Sequence, residues 1–176
     1  MKPATIERKS FAEILIREGI VSSEIVLHAR EIQKRTGEPI EEVLIEEGNL
    51  TEWDIARVLV KLHRLPFVQL SKVSIAKEVM DLLPVDFLRE KSAVPMDRFG
   101  QVITVAVSRN GDSNLISEIR QITGLEPYLF VTTMTEVKNA LNLHFPTPFS
   151  EFDGLLTDVK KNMKKVGKEW DLDGKG

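Results

Sequence analysis

Cysteine is absent from all 176 residues, which excludes disulfides, thiol catalysis and thiolate metal sites. Long apolar runs are absent as well. None approaches the ~20 residues that cross a bilayer, and the polar N-terminus lacks the apolar core of a signal peptide, so a cytosolic location without a direct membrane span is expected. An excess of positive charge is also missing: 24 Lys and Arg stand against 27 Asp and Glu, a net charge of −3. That balance excludes a general attraction to nucleic acid. Histidine is scarce. His28, His63 and His144 are far apart, with no i+4 partner that would suggest a metal or a catalytic base. The phosphate-loop spacing G-x-x-x-x-G-K-[ST] does not occur, and Gly167-Lys168-Glu169 does not supply it. The chain is expected to carry no nucleotide hydrolase, no enzyme activity and no cofactor.

What is present is a repeat. Phe11-Ala12-Glu13-Ile14-Leu15-Ile16-Arg17-Glu18-Gly19-Ile20-Val21-Ser22 recurs as Ile40-Glu41-Glu42-Val43-Leu44-Ile45-Glu46-Glu47-Gly48-Asn49-Leu50-Thr51. Gly19 and Gly48 set an offset of 29 residues. Self-similarity at a fixed period marks one supersecondary unit used twice. Each copy places a glycine where a helix must end in positive φ, and a hydroxyl, Ser22 or Thr51, where the next helix needs an N-cap. Thr36-Gly37 ends the second helix, and Pro39 suits the first turn of the third. The spacing predicts four short helices over residues 8–64, with two helix pairs packed face to face. Glu41, Glu42, Glu46 and Glu47 spread over a broad arc that reads as a solvated face rather than a cation site.

Leu65-Pro66-Phe67-Val68 breaks the helical pattern with a turn into an extended stretch. The second segment, 65–145, alternates elements. Ala76–Leu82 and Val85–Glu90 read as short helices parted by Pro84. Ala93–Asp97 and Gln101–Val107 read as strands around Phe99-Gly100, the latter rich in β-branched residues. Asn114–Thr123 reads as a helix closed by Gly124, Pro127–Val131 as a third strand, and a last helix capped by Thr133 or Thr135 runs to about Phe145. The fold class is α+β: a four-helix subdomain of two helix-pair repeats (1–64), then a small β-β-α-β-α layer with helices over one face of its sheet (65–145). Residues 146–176 form a linker or tail in which Lys160, Lys161, Lys164 and Lys165 alternate with apolar residues. Six acids balance its six bases there, which favours a mobile or partner-binding segment over a membrane-surface helix.

The repeat, Leu65-Pro66-Phe67-Val68, Leu82-Leu83-Pro84, Ala93-Val94-Pro95-Met96 and Glu118-Ile119-Arg120-Gln121-Ile122-Thr123-Gly124 occur in an order that resembles the N-terminal region of type II secretion and type IV pilus assembly ATPases. The resemblance covers about residues 8–145. It implies a docking and regulatory module that binds the cytoplasmic domain of an inner-membrane platform protein, and that acts beside a hexameric assembly ATPase whose motor this chain lacks. A subset of that family, the MshEN domains, binds cyclic di-GMP through two copies of such a repeat. Against that pattern Gly19, Gln33 and Gly48 match, and Arg8 or Lys9 could stand in for the opening arginine. Ser10-Phe11-Ala12 and Pro39-Ile40-Glu41 replace the Arg-Leu-Gly triplets, and Leu62 replaces the second glutamine. Serine and proline cannot offer a phosphate the bidentate fork of arginine, and Glu41 would repel it. In the second segment Arg109-Asn110 stands where the family often has Asp-Pro. The resemblance therefore implies protein docking first, with cyclic di-GMP reception as the alternative.

Overall fold

The computed structural model describes residues 10–110 and 114–146. Eight helices and three strands occur among them. The helices are α1 (Phe11–Arg17), α2 (Ser23–Thr36), α3 (Ile40–Glu46), α4 (Glu52–His63), α5 (Lys77–Met80), α6 (Val85–Lys91), α7 (Leu115–Thr123) and α8 (Met134–His144). The strands are β1 (Ala93–Phe99), β2 (Val102–Val107) and β3 (Glu126–Val131). The α+β class is as expected. One compact unit ends at Leu141; past it the described residues are the last residues of α8 and the chain to Pro146.

The repeat is visible bond for bond. At the end of α1, Gly19 takes φ +68°, its N–H bonds the Ile16 carbonyl at 3.0 Å, and the Ile20 N–H bonds Leu15 at 2.9 Å. At the end of α3, Gly48 takes φ +72°, its N–H bonds Ile45 at 2.9 Å, and the Asn49 N–H bonds Leu44 at 3.0 Å. Both are Schellman closures, which satisfy the last carbonyls of each helix. The following helix starts on a hydroxyl in each copy. Ser22 Oγ accepts from the Ile25 N–H at 3.3 Å. Thr51 does more: its Oγ1 accepts from the Asp54 N–H at 3.2 Å while Asp54 Oδ2 accepts the Thr51 N–H at 2.9 Å, a complete capping box. Pro39 sits one position earlier than expected, as the N-cap of α3.

The two pairs pack across one another, α1 on α4 and α2 on α3. Their shared core contains Leu15, Leu44, Val26, Ile55, Leu59 and, from β3, Val131. Neither pair could cover its own apolar stripe alone. The sheet runs β1-β2-β3, with β1 antiparallel to β2 and β2 parallel to β3. A parallel neighbour requires a crossover, and α7 supplies it. Pro95 is tolerated because β1 is an edge strand, and the register shifts between Pro95 and Asp97. The extended 66–68 segment pairs with the end of β3: the Val131 N–H bonds Pro66 and the Val68 N–H bonds Val131, both at 2.8 Å. The helix expected over Ala76–Leu82 is a single turn, Lys77–Met80, because the chain must already turn for Pro84. Thr133, not Thr135, starts the last helix, its Oγ1 accepting from the Glu136 N–H at 3.3 Å. The tail at 147–176 lies outside the described residues.

Candidate functional site

Gly19 and Gly48 end equivalent helices, and a Cβ at either would meet open space. They are glycine for their positive φ, not for a close approach. Gln33 is half-buried near the end of α2, and its backbone carbonyl accepts the Gly37 N–H at 2.8 Å. Among the described residues no hydrogen bond joins Gln33 to either glycine. Leu62, in the place of a second glutamine, is half-buried and packs on the helical core. Arg8 and Lys9 lie outside the described residues.

Beside Gly19 is an open cleft of about 230 Å³, lined by Ile14, Glu18, Ile20, Asp54, Arg57, Val58 and Lys61. Ile14, Ile20 and Val58 give it an apolar floor, and the charged groups form its rim. Lys61 Nζ donates to Glu18 Oε2. That bond, and then the ammonium charge, hold the Glu18 carboxyl below its ordinary value. Asp54 is lowered too, chiefly by the hydroxyl and N–H of Thr51. Both carboxylates are thus committed within the fold.

A second polar cluster lies where α3 and α4 meet the loop after β2. Glu41 does not share the solvated face expected of it: it is 5% exposed. The repeat explains this, because Glu41 occupies the position of Ala12, itself 3% exposed. Glu41 Oε1 accepts the backbone N–H of Asn110 at 3.1 Å. Burial pushes its carboxyl above the ordinary value, opposed by that bond and by the charge of Arg109. Arg109 Nη1 lies 3.8 Å from Glu42 Oε1, and its Nη2 donates to the Glu90 carbonyl. Asn110 Oδ1 is 2.7 Å from His63 Nε2, while His63 Nδ1 is buried with no partner among the described residues. The sequence reading missed this cluster. The signal for it was an acid at an interior position of the repeat, together with the unusual pair Arg109-Asn110. Among the described residues no group of three acids or histidines is placed to hold a metal, and no helix is long and apolar enough to cross a membrane.

Residues 63–151, half of the chain, match the MshEN domain. The type IV pilus assembly ATPase PilB of Thermus thermophilus is 30% identical over 148 residues, 83% of this chain and 17% of that protein. PilB of Myxococcus xanthus is 20% identical over 157 residues, 89% of this chain and 28% of that protein. The chain thus spans less than a third of the length of these relatives. Among solved structures, that of MshE with cdg superposes with a TM-score of 0.64 at 24% identity, over 78% of this chain and 100% of that one. The N-terminal domain of XpsE superposes with a TM-score of 0.64 at 20% identity, over 81% of this chain and 97% of that one. Both share the fold, and the match takes in all or nearly all of each solved chain. The chain belongs to the MshEN domain family.

Proposed function

We propose that this chain is a docking and regulatory domain of a bacterial type II secretion or type IV pilus machine, and that it binds the cytoplasmic part of an inner-membrane platform protein. The observation that carries this reading is the extent of the likeness: the chain reproduces nearly all of the XpsE N-terminal domain and is 30% identical to a pilus assembly ATPase over most of its own length. Such a domain acts by presenting a surface. The interlocked repeat supplies one, because its four short helices share a single core. The reading places the chain at the cytoplasmic face of the inner membrane, held there by its partner, with a hexameric assembly ATPase as its neighbour. Affinity measurement between the full chain and the cytoplasmic domain of the platform protein from the same machine tests it. Saturable binding is expected, and its absence at high concentration overturns the reading.

A second reading is a cyclic di-GMP receptor, favoured by the MshE structure with cdg, the whole of which matches 78% of this chain. Its ligand-contacting residues would be Gly19, Gln33 and Gly48, with Arg8 or Lys9. Against it stand the chemical departures: no arginine opens either copy of the repeat, and Glu41 is engaged with the loop after β2. Calorimetry with cyclic di-GMP in large excess decides it, and no heat and no thermal shift would remove it.

A further inference from the structure

Trp53, Arg57, Lys61 and Arg64 recur at spacings of four, four and three, which sets them along one face of α4 and its C-cap. All four are exposed, Trp53 at 48% and the side chains of Arg57 and Lys61 at 79% and 69%. Trp53 packs its ring on Phe67, centroids 5.7 Å apart, and Phe67 is itself 40% exposed. The cleft floored by Ile14, Ile20 and Val58 opens beside this stripe. Its two acids are spoken for. Glu18 holds Lys61, and Asp54 accepts from the N–H and hydroxyl of Thr51 through Oδ2 while its Oδ1 pairs with Arg57 at 3.5 Å. Three cations of the stripe thus face two acids that pair with Lys61 and Arg57, a surplus of one positive charge on a chain whose net charge is −3. Exposed tryptophan and arginine around an apolar recess is the composition of an interface centre.

Resting on the docking function proposed above, we propose that this face of α4 binds an acidic polypeptide segment carrying an apolar side chain. Carboxylates of the segment pair with Arg64 and share Arg57 and Lys61 with Asp54 and Glu18. The apolar side chain enters the cleft over Ile14, Ile20 and Val58, and the Trp53–Phe67 pair packs against the backbone between them. The geometry favours this occupant for two reasons. The cations span about 10 Å of helix, a spread suited to successive side chains of one segment rather than to one compact anion. At about 230 Å³ the cleft falls below the roughly 300–1,000 Å³ usual for a small-molecule pocket, yet it accommodates a leucine-sized group. A flat lipid surface could not fill it.

Full-length chain carrying Trp170→Phe leaves Trp53 as the single fluorescent tryptophan. The probe is a synthetic helical peptide of glutamate and leucine with one acidic and one apolar face. Its all-glutamine counterpart is the control. Expected are a saturable shift of Trp53 emission with the acidic peptide alone, weakening as salt rises, and an affinity about tenfold lower in the Arg57→Glu, Lys61→Glu chain. Where that double reversal lowers the unfolding midpoint, Arg57→Gln with Arg64→Gln makes the same comparison. Equal affinity in the variants, no response to the peptide, or a response only to phosphatidylglycerol vesicles overturns the proposal. The platform cytoplasmic domain separates the two readings. Undiminished binding to the reversed chain leaves docking standing and removes this face. Peptide binding with no platform binding does the opposite.

Discussion

Glu41 on α3 accepts the backbone N–H of Asn110 at 3.1 Å, joining the helical repeat to the loop after β2 across 69 residues of chain. The carboxylate is buried, so the bond has a cost: the charged form gives up most of its hydration and recovers its own backbone N–H, that of Asn110 and a share of the Arg109 charge. A group in that position stabilises best when neutral.

The first prediction follows from that sign. The folded-state pKa of Glu41 is raised, so the folded state binds the proton more tightly than the unfolded chain. Its contribution is fully present below the unfolded value of about 4.5 and is lost as pH rises through the higher folded value. Glu41→Gln keeps an acceptor without the charge. Urea unfolding at a series of pH values should show a fall in stability in this window for the wild type and a flatter profile for Glu41→Gln. Glu41→Leu removes the acceptor and leaves the Asn110 N–H unpaired, which should cost about 1–3 kcal/mol at the acid end. Equal pH profiles for wild type and Glu41→Gln would refute the account.

Gly48→Ala isolates the backbone term. Nothing stands within 4 Å of the added Cβ, so the loss comes only from holding alanine at φ +72°. About 1–2 kcal/mol is expected, with Gly48→Asn losing less, since asparagine visits the left-handed region more readily. Gly19→Ala should match Gly48→Ala closely because the two closures share every bond. A steric explanation would instead make the two sites differ.

The two N-caps should separate where the closures agree. Thr51 and Ser22 are repeat equivalents, but only Thr51 has an acid three residues on to complete a capping box. Thr51→Ala removes the acceptor for the Asp54 N–H and should cost about 1–2 kcal/mol, Ser22→Ala about 0.5–1 kcal/mol. Native-state hydrogen exchange should show the first turn of α4 opening more in Thr51→Ala. Equal losses at the two sites would mean that Asp54 adds nothing.

These contrasts also separate what was legible in the sequence from what was not. Gly19, Gly48, Ser22 and Thr51 could be read directly because positive φ and orphan N–H groups are demands of the local chain. The β-branched run 101–107 became β2 for a similarly local reason. Glu41 was misread as solvated because charge usually marks a surface. Its burial depends on partners 69 residues away, and only the alignment of Glu41 with Ala12 hinted at it. Arg109 and Asn110 gave no local sign of what they would grip. The cleft beside Gly19 was equally hidden, since Ile14 and Glu18 of α1 meet Val58 and Lys61 of α4 only after the two repeats interlock. Gly19, Gln33 and Gly48 are placed by local rules, and their proposed ligand contacts depend on Arg8 and Lys9, outside the described residues.

Lys61 and Glu18 provide the last test, one that reads the rim of the cleft directly. The Lys61 bond is the largest influence holding the Glu18 carboxyl below its ordinary value, ahead of the ammonium charge and of Arg17. A lowered acid contributes stability above its unfolded pKa and loses it as pH falls through the folded value. The pair is exposed, so salt should weaken it and its effect on overall stability should be small. The carboxyl itself is the better reporter. In a carbon-detected NMR titration, Lys61→Ala should move the Glu18 midpoint up toward the ordinary glutamate value, and raised salt should move the wild-type midpoint the same way but less far. Glu41, governed by burial, should hardly respond to either change. If Glu18 keeps its low midpoint in Lys61→Ala, the Lys61 ammonium is not what holds it, and the cleft rim is organised by Arg17 instead.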